Sequence, residues 1–123
     1  MKKLILSLVS FCFIAIISAQ QKPVLIAKIS TPTVQCTMCK KTIEDVLKRY
    51  DGVMSVNVKV SKDSAKRETI VKYITDRINE ETIKAAIANA GYDANEIAAN
   101  PESYKALPKC CKKPEDGGGK PKY

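Results

Sequence analysis

The stretch "VQCTMCKKTIEDVLKRY", Val34 to Tyr50, sets two cysteines, Cys36 and Cys39, directly before an amphipathic pattern. Ile43, Val46, Leu47 and Tyr50 fall at i, i+3, i+4 and i+7, one stripe of a helix. That helix should begin near Thr37 or Met38 and stop at Asp51-Gly52. The two thiols therefore stand at a loop–helix junction, where free backbone N–H groups and the helix dipole favour negative charge. Lys40 and Lys41 add positive potential beside them. A thiolate, not a thiol, binds soft metals. Two cysteines separated by two residues can converge on one ion and leave it accessible. Such an open sulfur pair suits Cu(I), with Hg(II) or Zn(II) as alternatives, whereas a structural zinc site takes four closed ligands. Met38, between the pair, reads as a rim side chain rather than a ligand.

Outward from this stretch the chain alternates strands and helices. Before it, Val24 to Thr31 has Leu25, Ala27 and Ile29 on one face, and Pro32 ends the strand. After it, Val53 to Val60 is a strand with Met54, Val56, Val58 and Val60 pointing one way. The polar turn Ser61–Arg67 leads into a third strand, Glu68 to Thr75, and the two read as a hairpin. Asn79 is a helix cap, with Ile78 and Ile83 at the staple positions; Ile83, Ala86, Ile87 and Ala90 form the stripe and Gly91 the stop. Tyr92 to Ala98 offers a weak last strand. The order is βαββαβ: an α+β, ferredoxin-like sandwich, with two helices on one face of an antiparallel sheet.

The 123 residues fit one domain. Lys2 and Lys3 followed by the apolar run Leu4–Ile17, then Ser18-Ala19, form a signal peptide over residues 1–19, cleaved before Gln20. The alternative is an uncleaved membrane anchor, but the run is shorter than the ~20 residues of a spanning helix, and no membrane span is expected after cleavage. Bulky Phe11 before Cys12 argues against a lipoprotein, and Cys12 leaves with the signal. The expected location is exported, periplasmic or secreted. Loss of two lysines and no acid lowers the formal charge from +8 to about +6. A basic exported chain without an aromatic-interleaved basic stripe does not point to nucleic acid. The absence of histidine excludes Cys/His zinc fingers and histidine-based catalysis, and leaves sulfur as the main donor for a transition metal.

Cys36-Thr-Met-Cys39, "DGV" at Asp51 to Val53, and "AIANAGYDA" from Ala86 to Ala94 resemble the heavy-metal-associated domains of copper chaperones, metal-transporting ATPases and periplasmic mercury-binding proteins. The resemblance covers Val24 to Ala98, within a domain bounded at 20–98. It implies the same ferredoxin-like fold, soft-metal binding by Cys36 and Cys39, transfer rather than catalysis, and a position for Tyr92 packed near the metal. The family's pattern is Gly-Met-x before the first cysteine; here Val34 and Gln35 stand directly before Cys36, so Val34 takes part of the methionine's place.

Residues 99–123 form a cysteine-containing extension. Asn100-Pro101 starts a short helix to Leu107, Pro108 ends it before Cys110 and Cys111, and "KKPEDGGGKPKY" reads as disordered. A last strand would leave the tail at the far end of the sheet, about 20 Å from Cys36 and Cys39. A helix of about 10 Å plus extended residues closes that gap. Cys110 and Cys111 can then supply further thiolates, or stand spare on a mobile tail. A Cys36–Cys39 disulfide is the structural alternative. A thioredoxin-like oxidoreductase is the rival class, but the hairpin follows the first helix too early for it. A metal-free module that recruits a transporter is a third. Lys40, Lys41, Lys62, Lys66 and Arg67 should crowd the metal end and meet an acidic docking surface on a metal transporter or another acceptor.

Overall fold

The computed structural model describes residues 23–118. Residues 1–22, which include the signal peptide expected over 1–19, and the chain end, 119–123, lie outside the described residues.

Three strands, β1 (Val24–Ser30), β2 (Val53–Lys59) and β3 (Glu68–Ile74), form an antiparallel sheet in the order β1-β3-β2. β1 pairs with β3 from Val24↔Ile74 to Ser30↔Glu68, and Val56↔Val71 and Val58↔Thr69 carry the β2 side of the register. That register sets Ala27, Ile29, Val58, Val71 and Tyr73 on one buried face. Helices α1 (Thr37–Leu47) and α2 (Glu80–Asn89) complete the core with Cys39, Ile43, Leu47, Ile83, Ala86 and Ile87. Each such aliphatic side chain, fully removed from water, contributes about 1.5–3 kcal/mol before chain entropy is counted. Asn79 caps α2 by accepting from the Thr82 N–H at 2.8 Å, as its sequence position implies.

The sheet is the ferredoxin-like one with its last strand missing. Tyr92 to Ala98 does not extend: Ala94 and Ile97 exchange both main-chain hydrogen bonds within a tight turn, and Asn95 adopts a left-handed conformation, φ 52°. Asp, Asn and Ala in this run favour a turn over a strand, and asparagine tolerates the left-handed region. Asn95 pairs with the edge of β1 at Ser30. Its Oδ1 accepts from Ser30 N–H at 2.7 Å and its N–H donates to Ser30 O at 2.9 Å. Lys84 fastens the turn to α2; it is buried, and its Nζ reaches Glu81 at 2.6 Å and Glu96 at 2.7 Å. Both carboxylates hold its pKa above the usual lysine range.

Three local expectations shift. Leu25 lies on the edge strand β1, which no fourth strand covers among the described residues, and is exposed. A bulge between Val53 and Ser55 takes Met54 out of the β2 stripe, so it is exposed while Val58 is buried. Helix α1 ends at Leu47, so Tyr50 leaves its stripe and is exposed. The tail is ordered further than its composition suggests. Helix α3 (Pro101–Lys105), capped by Asn100, is followed by 3-10 turns at Lys109–Cys111 and Pro114–Asp116. Tyr104 holds the last of these: its hydroxyl donates to Asp116 at 2.6 Å and accepts from Lys113 N–H at 2.9 Å. Among the described residues no helix is long and apolar enough to cross a membrane.

Candidate metal centre

The loop between β1 and α1 is held from three sides. Thr31, fully buried, pairs its hydroxyl with that of Thr69 on β3 at 3.1 Å. The Arg67 guanidinium donates to the carbonyls of Ser61 and Pro32, both at 2.7 Å, and of Lys62 at 3.3 Å. It therefore locks the β2–β3 turn to the residue just before the cysteine loop. Thr33 Oγ1 accepts from Asp93 N–H at 3.0 Å and ties the Tyr92 loop to the same place. Val34, just before Gln35 and Cys36, is fully buried. Arg67 was expected on the basic rim; it is instead buried and serves the backbone, because three carbonyls converge on its planar fork.

Cys36 is the N-cap of α1, with extended backbone (φ −145°, ψ 168°), and its carbonyl accepts from Lys40 N–H at 3.1 Å. Cys39 lies in the first turn, fully buried. Lys40 is paired with Glu44 at 4.0 Å along the helix.

The tail returns to this end over the C-terminus of α2. Gly91 has φ +105°, and a Cβ there would stand 3.1 Å from Leu107 Cδ1 and 3.1 Å from the Ser103 carbonyl carbon. Glycine thus both ends α2 and admits the tail. Asn100 N–H donates to Ala88 O at 2.9 Å at the crossing. The short turn Lys109–Cys111 then packs against α1.

Four free thiols meet there. Cys36 Sγ lies 3.1 Å from Cys39 Sγ, 3.1 Å from Cys110 Sγ and 3.7 Å from Cys111 Sγ; Cys110 and Cys111 are 3.9 Å apart. The sulfurs of Cys36, Cys39 and Cys111 all lie within 4.8 Å of one another, and all three residues are buried. Trigonal coordination at about 2.3 Å per metal–sulfur bond places sulfurs about 4 Å apart, so this triad needs only small adjustment to surround one soft ion. Met38 Sδ is 3.6 Å from Cys110 Sγ. Tyr92 is fully buried; among the described residues its hydroxyl has no oxygen or nitrogen partner and faces the sulfurs of Cys111 and Cys39.

The cluster is electrostatically split. Hydrogen bonding from the Cys111 thiol, then from Cys36 and the backbone, draws Cys39 down to about 5. Burial and its hydrogen bonds to Cys39 and Cys110 push Cys36 up to about 11. Cys111 is raised by its bond to Cys39 and by burial, and burial raises Tyr92, which stays a neutral donor. Cys39 is thus the thiol of the cluster that ionises most readily, with the Cys111 and Cys36 thiols hydrogen-bonded to it.

The sequence placed Cys36, Cys39 and Tyr92 together, and the structure brings Cys110 and Cys111 to the same point. It missed the Thr31–Thr69 pair, the role of Arg67, the Gly91–Leu107 crossing and the Met38–Cys110 contact. Only the last had a visible signal, a thioether between two metal-type cysteines.

The fold and the buried sulfur cluster define a soft-metal-binding domain. The family model for the heavy-metal-associated domain matches residues 28–93, and the chain belongs to that family. Among solved structures it is similar to the CopZ metallochaperone, with 26% identity and a TM-score of 0.51 over 57% of this chain and 98% of that one. It is similar to a ZiaAN variant, with 28% identity and a TM-score of 0.50 over 61% and 100%. Oxidised MerP from Ralstonia metallidurans CH34 shares the fold at 22% identity and a TM-score of 0.52 over 59% and 96%. No curated protein matches the chain. All three neighbours are covered almost completely while about two fifths of this chain is left over, and the matched family region ends before Cys110 and Cys111.

Proposed function

We propose that this chain carries Cu(I) in the cell envelope, binding it through Cys36 and Cys39 with Cys111, and with Cys110 at the rim, and passing it by ligand exchange to an acceptor protein. The observation that carries this reading is the convergence of four thiols at the start of α1 in a chain without histidine. An all-sulfur set with a low coordination number favours Cu(I), and copper is the soft ion most available physiologically; Hg(II) and Zn(II) compete on the same donors. Similarity to a metallochaperone supports carriage over storage. The basic, apolar and small-residue pattern of residues 1–19 supports export to the periplasm or outside. The lysines around the metal end, Lys40, Lys41, Lys62 and Lys66, support docking on an acidic surface of a transporter or other acceptor. Competition against a chromophoric Cu(I) chelator tests the core of this. Cys36→Ser with Cys39→Ser should abolish tight binding, and an unchanged constant would place the site elsewhere. If the same variant still binds the acceptor with wild-type affinity whether or not metal is present, the chain is a recruiting module and not a carrier.

A further inference from the structure

Cys36 Sγ is the hub of the cluster, in contact with the other three thiols. The sulfurs divide about it by depth. Cys39 and Cys111 are buried on the inner side, with the Tyr92 hydroxyl. Cys110 is partly exposed and Met38 is 54% exposed, and their sulfurs meet at 3.6 Å. An exposed methionine beside a thiol gains little from hydrophobic burial, so core packing does not account for the pair. A thiolate has lone pairs enough to bridge two soft ions, and thiolate with thioether is a donor set selective for Cu(I).

We infer that the cluster holds two Cu(I) ions that share Cys36: an inner one on Cys36, Cys39 and Cys111, and an outer one on Cys36, Cys110 and Met38. This rests on the Cu(I) reading above. The outer position is the point of entry and hand-off, because its ligands are the ones an acceptor can reach. The weaker thioether makes that ion the more readily exchanged, while the inner ion keeps three thiolates away from solvent. Thiol protons leave to solvent as each ion binds, and no oxidation is involved.

The test is anaerobic titration of the full, reduced chain with Cu(I), read by native mass spectrometry and by the copper–copper vector in X-ray absorption. The wild type should bind two Cu(I) per monomer and show that vector. Cys110→Ser and Met38→Leu should each bind one and lose it. Met54→Leu, which removes an exposed methionine at the other end of β2, should still bind two. Saturation of the wild type at one Cu(I), a second copper found only in dimers, or two coppers persisting in both Cys110→Ser and Met38→Leu would each overturn the outer site. A wild type that takes up no Cu(I) would overturn the proposed function itself.

Discussion

The two halves of the sulfur cluster are held by different kinds of structure. Cys36 and Cys39 sit on a loop and helix fixed by the sheet, by Arg67 on three carbonyls and by a buried threonine pair. Cys110 and Cys111 ride on a 3-10 turn anchored by Leu107 over Gly91, by the Tyr104 hydroxyl and by the burial of Cys111 itself. Opening the first half means disturbing the core. Opening the second means breaking a few local contacts, and such segments are the ones that open at low cost. On the function proposed above, the family half provides the binding geometry and the tail half a cover that can lift. A carrier needs both, since a metal enclosed by four rigid sulfurs would bind well and leave slowly.

The largest effect should come from the rigid half. Cys36→Ser with Cys39→Ser should weaken Cu(I) binding by at least roughly a thousandfold, about 4 kcal/mol. A loss close to that of Cys110→Ser with Cys111→Ser would erase the distinction between the halves.

Removing the cover should act next, and on proton chemistry as well as affinity. Cys111 is the main cause of the low Cys39 value. In Cys111→Ala the Cys39 thiolate should therefore titrate upward from about 5 toward the ordinary value of 9.0, followed by ultraviolet thiolate absorbance. In the intact protein the Cys36–Cys39 pair holds one proton between about pH 5 and about pH 11. Metal binding releases it, so Cu(I) affinity should rise with pH by at least about tenfold per unit across that window. A flat profile would mean that the pair is already fully deprotonated.

Gly91→Ala separates position from chemistry. The positive φ costs about 1–2 kcal/mol in any L-residue, and the new methyl presses on Leu107 and Ser103. The melting temperature should fall, and Cys110 and Cys111 should react faster with a thiol reagent while Cys36 and Cys39 change less. Equal acceleration of all four would show that the halves open together. The smallest effect should be Tyr104→Phe, which loses the bonds to Asp116 and Lys113 and about 1 kcal/mol locally. It should raise Cys110 reactivity with little change in melting temperature.

The same division decided how much the sequence revealed. Elements held by periodic apolar contacts were legible: Ile43 and Leu47 of α1, Ile83 and Ile87 of α2, and the Ala27–Ile29 alternation of β1. The Asn79 and Asn100 caps were legible because capping is a local hydrogen bond. The convergence of Cys36 and Cys39 followed from spacing and helix position. What stayed hidden depends on tertiary partners. The last strand gave way to a turn because Asn95 satisfies Ser30 from a left-handed conformation and Lys84 pins Glu96. Arg67 reads as a surface charge until three carbonyls are known to converge on it. The tail's reach could be bounded by chain length, but its seat depended on Gly91 leaving room for Leu107.

The central claim is that the tail cysteines complete the site of the family pair. It is tested most directly by X-ray absorption at one equivalent of Cu(I), comparing the wild type with Cys110→Ser combined with Cys111→Ser. Three sulfur neighbours in the wild type and two in the variant are the expected result. Two sulfurs in both would contradict it and leave the extension outside the metal site.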